Sequence, residues 1–247
     1  MNEAMLKKFS LFFVLLFASS LSYAPVIAES PKELTYLAIG DSLTAGLGSS
    51  EENYLRIHGF VPQFTKFLRE ENNVKVENYG IPGLTSSGLL AFLSGDEAVR
   101  NRLKTADIIT VSIGGNDLLQ ALDADFEEQS LDLRLEILNR TYKELFNMLQ
   151  EINPNATLIL LGLYNPYPED HKFHELAEEY APQFNTMVKD YAEDTKSRKG
   201  KTLVVDPFEA FLGKAQEWTH IKKDDIHPND KGYTEIVRLM KNAYKNP

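Results

Sequence analysis

A serine near the start of this 247-residue chain and a histidine near its end stand in segments that could cooperate chemically. Ser42 lies in Gly40-Asp41-Ser42-Leu43, and His227 lies in Asp224-Asp225-Ile226-His227-Pro228-Asn229. A serine hydroxyl attacks a carbonyl at neutral pH only when a base takes its proton, and the base needs an acceptor to orient it. The second segment supplies both. A spacing of three lets the Asp224 carboxylate fold back onto the His227 imidazole within one turn. Asp225, two positions away, is the rival acid. Pro228 steers His227 away from helical geometry and so favours a loop. Each segment also has a plainer reading: Gly-Asp-Ser caps a helix, and a stretch rich in Asp, Pro and Asn is a surface turn. Asp41 reads as such a cap or turn former rather than a catalyst.

Acyl transfer also needs donors aimed at the oxyanion that develops on the attacked carbonyl. Gly83 offers a backbone N–H that no side chain obstructs, and Asn116 offers its side-chain amide. Taken alone, Gly83 marks a tight turn and Asn116 a helix cap.

These residues need a scaffold that brings them together. Five short apolar runs, Leu34–Ile39, Val74–Tyr79, Ile108–Ile113, Thr157–Leu161 and Thr202–Val205, read as strands covered on both faces. Helical patterns alternate with them. Leu131, Leu135, Leu138, Tyr142, Leu145, Leu149 and Ile152 recur at threes and fours, predicting a helix over about 130–152. A second helix is expected over Gln183–Tyr191 with Pro182 at its first position, and a last one over 230–244. This alternation predicts an α/β protein with a central, mostly parallel five-stranded sheet. Ligand sites in such sheets lie beyond the carboxyl ends of the strands. Gly40-Asp41-Ser42, Gly80 to Gly83 and Gly114-Gly115-Asn116-Asp117 each follow a predicted strand.

Four segments in this order resemble the conserved blocks of the SGNH hydrolases, also called GDSL-type esterases, lipases and acylhydrolases. They are Ala38 to Thr44, Asn78 to Thr85, Gly114 to Asp117, and Asp224 to Asn229. The resemblance runs from about Leu34 to Tyr244. It implies a flavodoxin-like three-layer α/β/α sandwich and hydrolysis of carboxylic esters through an acyl-enzyme. It also implies Ser42 as nucleophile and first oxyanion donor, with Gly83 and Asn116 as the other donors. His227 would be the general base and Asp224 the acceptor that holds its tautomer. No cofactor and no metal are implied. Asp117 is expected to support its loop.

Composition bounds the rest. The net charge is −10, and no dense basic run exists, so nucleic acid is not an expected partner. The chain has no cysteine, which excludes disulfides, a cysteine nucleophile and thiolate metal sites. Lys7 and Lys8 precede the apolar run Phe9 to Phe17, and small residues follow up to Ala28. Residues 1–28 therefore read as a signal peptide, and 29–247 as a single hydrolase domain that is secreted or extracytoplasmic. An uncleaved anchor, with transient membrane contact through the N-terminal segment, is the alternative. His171 and His174 lack a third ligand and read as surface histidines, as do His58 and His220.

Substrate choice should be set by loops near the strand ends. Residues 162–181 and 47–60 are the long irregular stretches, and Leu163, Tyr164 and Tyr167 are the candidate lining of an acyl pocket, with Tyr54 and Phe60 as helpers. The expected substrate is a small-molecule or lipid-like acyl ester. The alternatives are a deacetylase of cell-wall or other polysaccharide, for which Trp218 is the sole tryptophan platform, and a noncatalytic binding protein on the same fold.

Overall fold

The computed structural model of the protein describes residues 31–50, 55–122, 128–194 and 199–246. The signal-peptide reading and Tyr54 fall outside them. The five expected strands form. β1 (Lys32–Gly40), β2 (Asn72–Gly80), β3 (Ile108–Ser112), β4 (Thr157–Leu161) and β5 (Thr202–Val205) pair in the order β2-β1-β3-β4-β5, and all four pairings are parallel. This is the flavodoxin-like order, with its switch point between β1 and β3.

Helices cover both faces. α1 (Ser42–Ala45), α2 (Phe60–Leu68), α3 (Ser86–Gly95), α4 (Glu97–Leu103), α5 (Gly115–Leu119), α6 (Glu128–Ile152), α7 (His174–Asp194), α8 (Phe208–Phe211), α9 (Ala215–Trp218) and α10 (Asp230–Lys245) follow in chain order. Successive strand residues point to opposite faces, so each strand feeds two cores. Leu37 and Ile39 of β1, Ile109 and Val111 of β3, and Leu158 and Leu160 of β4 face α3, α4, α6 and α7. Tyr36 and Ala38, Ile108, and Ile159 and Leu161 face α2, α8 and α10. β1, β3 and β4 are near-continuously apolar because neither face is left to water there, whereas the edge strand β2, expected to be covered on both faces, buries only Val74 fully.

Three features depart from the expected pattern. α7 starts at His174 rather than at Pro182, which lies inside the helix. An interior proline removes one N–H from the hydrogen-bond ladder. Burial of Tyr180, Ala181, Phe184 and Val188 on one face of α7 outweighs that loss. Phe60 is no pocket residue; it is fully buried in the α2–α10 core. A two-stranded antiparallel pair, β6 (Thr219–His220) and β7 (Asp225–Pro228), holds the histidine segment and was not expected. Four residues or fewer carry no readable alternation.

Phe184 ties this scaffold to the site. Its ring meets Tyr142 edge-on at 5.6 Å, and a side chain on Gly114 would collide with it at 2.6 Å. Phe184→Ala should therefore destabilise the protein by about 3–5 kcal/mol, measured by urea unfolding. A loss under about 1 kcal/mol would mean the two helices do not pack through this ring.

Candidate active site

Ser42 opens α1 immediately beyond the carboxyl end of β1. Asp41 is the N-cap: its side chain accepts from Leu43 N at 3.0 Å. It also accepts from Ser112 Oγ at 2.9 Å, and Ser112 Oγ lies 2.6 Å from Thr44 Oγ1. This buried network under Ser42 joins the ends of β1 and β3. Asp41 is only 5% exposed, and burial pushes its carboxyl up to about 6 against the lowering effect of these hydrogen bonds. Ser112 escaped sequence reasoning, although a serine ending the apolar run Ile-Ile-Thr-Val was a signal.

His227 Nε2 lies 2.8 Å from Ser42 Oγ. The other ring nitrogen, Nδ1, lies 2.5 Å from Oδ1 of Asp225. The expected partner Asp224 is thus replaced by its neighbour. Asp224 adopts φ 60° and ψ 30°, caps the 3-10 turn Ile221–Lys223, and is exposed. Asp225 instead folds back locally: its Oδ1 also accepts the His227 backbone N–H at 3.0 Å, which sets the carboxylate beside the ring. Burial acts to raise the Asp225 carboxyl, but the two hydrogen bonds from His227 and the charges of His227 and His220 prevail and hold it below the usual range. The spacing of three looked right because a turn brings it near. It misled because Asp224 is consumed in ending the preceding turn.

The three expected donors come from three different turns. Ser42 N–H, at the first position of α1, has no intrahelical acceptor. Gly83 has φ 79°, within a turn closed by Leu84 N to Ile81 O at 3.1 Å, and nothing lies within 4 Å of where a side chain would project. Asn116 Nδ2 donates one hydrogen to Leu84 O at 2.8 Å, which leaves its second for a ligand. Asp117 supports this arrangement. It accepts from Ser86 N and Oγ at 2.9 and 2.6 Å, clipping the turn before α3 to the start of α5.

A cavity of about 280 Å³ opens on Ser42 and His227. Leu163, Tyr164 and Tyr167 all line it, together with Leu118, Leu122 and Leu176. Tyr164 does more than line: its hydroxyl donates to Ile226 O at 2.9 Å and so props the histidine segment. Asn185, 1% exposed, grips both the N–H and the carbonyl of Leu163. His171 and His174 staple the loop between β4 and α7. His171 stacks on Tyr167 at 4.5 Å, and His174 Nδ1 lies 2.9 Å from Tyr167 O. Trp218 meets Phe211 edge-on and packs against the α2–α10 core, and it does not line the cavity at Ser42.

Residues 38–234 match the model of the GDSL-like lipase/acylhydrolase family. The chain is 31% identical to the spore germination lipase LipC of Bacillus licheniformis, over 85% of this chain and 96% of that protein. Among solved structures, the lipase Lip_vut3 from a goat rumen metagenome is 28% identical and superposes with a TM-score of 0.71, over 85% of this chain and 97% of the other. Axe2, an acetylxylan esterase from Geobacillus stearothermophilus, shares the fold at 22% identity and a TM-score of 0.65, over 86% and 94% of the two chains.

Two outcomes follow from this geometry. Asp225→Asn should lower kcat by about three to four orders of magnitude, because it removes the acceptor that sets the His227 tautomer, whereas Asp224→Asn should stay near wild type. A larger loss at Asp224 in steady-state kinetics would reverse the assignment. Asp41 has the opposite sign in its effect on stability. Its folded carboxyl is held at about 6 against an ordinary 3.8, so its contribution is fully present below about pH 3.8 and is lost as the pH rises through about 6. Asp41→Asn should then be more stable than wild type at pH 8, by up to about 3 kcal/mol, with the difference gone below about pH 4. A pH-independent difference in unfolding free energy would show that Asp41 is ionised without cost.

Proposed function

The chain belongs to the GDSL-like lipase/acylhydrolase family and is a carboxylic ester hydrolase, and we propose that Ser42 is its nucleophile and that its substrates carry apolar acyl chains. In this reading Ser42 Oγ attacks the ester carbonyl carbon while His227 Nε2 takes its proton. Asp225 keeps the Nδ1 proton of His227 in place and stabilises the imidazolium. The carbonyl oxygen, now an anion, is met by the N–H groups of Ser42 and Gly83 and by the Asn116 amide. Collapse of the tetrahedral intermediate expels the alcohol, which takes the proton from His227 and leaves an acyl-enzyme. Water, activated by the same imidazole, releases the acid and restores Ser42.

The observation that carries the substrate reading is the lining of the cavity beside Ser42. Leucines 118, 119, 122, 131, 163 and 176 dominate it, with tyrosine and phenylalanine rings between them. An acetyl group would leave most of that surface unfilled, whereas an alkyl chain buries it at about 0.8 kcal/mol per methylene. Work outside the cytoplasm belongs to the same proposal, supported by Lys7, Lys8 and the apolar run Phe9 to Phe17.

The test is a series of p-nitrophenyl esters from acetyl to dodecanoyl, run beside acetylated xylan. kcat/KM should rise by up to about fourfold per methylene until the cavity is filled. A maximum at acetyl with turnover of the polysaccharide would replace this reading with a deacetylase.

A further inference from the structure

Beyond the acid and base themselves, the segment that follows the nucleophile helix makes an unusual set of contacts. Besides its local bonds, the segment 47–50 makes four hydrogen bonds that reach β6 or α10. Tyr233 Oη donates to Leu47 O at 2.6 Å, and His220 Nε2 lies 2.7 Å from Gly48 O. Ser50 N and Oγ donate to the two oxygens of Asp230 at 2.7 and 2.6 Å. Between these bonds the backbones come into direct contact. Gly48 has φ 83°, and a side chain there would lie 2.4 Å from Pro228 O and 2.8 Å from His227 Cβ. Only glycine permits that approach.

We infer that His220 is a positioning residue for ester hydrolysis: through Gly48 it presses the strand of chain behind Ser42 against His227 and sets the distance between nucleophile and base. The inference rests on the reading of Ser42 and His227 given above. A carbonyl oxygen only accepts, so Nε2 of His220 carries the proton in this bond. His220 stands in β6 opposite Asp225 in β7, so one short ladder carries His220, which holds residues 47–50 as a strap, together with the acid and the base. Ser42 sits at the start of α1, and Leu47 N bonds back to Ser42 O at 3.0 Å. A shift of Gly48 therefore reaches Ser42 through a single hydrogen bond and reaches His227 by contact. A misplacement on the order of 1 Å at such a pair lowers the rate by about a hundredfold.

The experiment compares His220→Ala, His220→Gln and His220→Asn on one soluble ester, with active sites counted by the burst of the first turnover. In glutamine the amide nitrogen falls where Nε2 of histidine stood, and in asparagine it falls where Nδ1 stood. His220→Ala and His220→Asn should lose about ten- to a hundredfold in kcat per active site with KM nearly unchanged, and His220→Gln should recover most of that loss. A residue that served folding alone would lower the number of active sites and leave kcat per site intact, and that result overturns the proposal. So does rescue by asparagine equal to that by glutamine. Ser42→Ala separates the two levels. If it retains wild-type turnover, the nucleophile assignment fails and the strap has no pair to align. If it is inactive while His220→Ala keeps its kcat, the strap alone is refuted.

Discussion

Ser42 and His227 stand 185 positions apart in the chain, yet their side chains meet at 2.8 Å. Loop closure over such a separation must be met by contacts elsewhere, since one hydrogen bond contributes only about 1 kcal/mol. The parallel sheet supplies them. β1 is an interior strand, flanked by β2 and β3, so the Ser42 turn grows from a strand paired on both sides. On the far side, α10 packs against α2 and β5 through Tyr233, Ile236, Val237 and Met240, which anchors the histidine segment just before it. Everything in the site is then a matter of fixing the last few ångströms between two anchored ends.

The polar groups that do this form two layers. Under Ser42, the Asp41–Ser112–Thr44 network ties β1 to β3, and Asp117 ties the Gly83 turn to Asn116. Around His227, Asp225 orients the ring from one side, and Tyr164 props Ile226 from the floor of the cavity. The cost of this arrangement is visible at Asp41, a carboxylate held where burial disfavours its charge. A buried acid beside the Ser42 turn is the kind of local conflict that a functional site retains.

The frame of the fold was legible because its signal is periodic. The ends of β4 and β5 coincide with the apolar runs, and the long apolar stripe of α6 predicts its length within two residues at the N-terminal end. What was missed was local. The start of α7 was hidden by Pro182, where packing of the helix overrides an unfavourable residue. The choice between Asp224 and Asp225 turned on backbone geometry: a left-handed residue ends a 3-10 turn, and only the following carboxylate faces the ring. The polar supports Ser112, Asn185 and His220 look ordinary in a sequence, since their meaning lies in partners 71, 22 and 172 positions away.

The central claim joins one chemical pair to one cavity: Ser42 is acylated, and the acyl chain enters the space between α5 and α7. The most direct measurement is a crystal structure of the protein inactivated by a long-chain alkyl phosphonate. Phosphorus bonded to Ser42 Oγ, its free oxygen within hydrogen-bond distance of Gly83 N and Asn116 Nδ2, and the alkyl chain lying against Leu118, Leu163 and Leu176 are the predicted result. Phosphorus on another residue, or a chain directed away from those leucines into solvent, would contradict it.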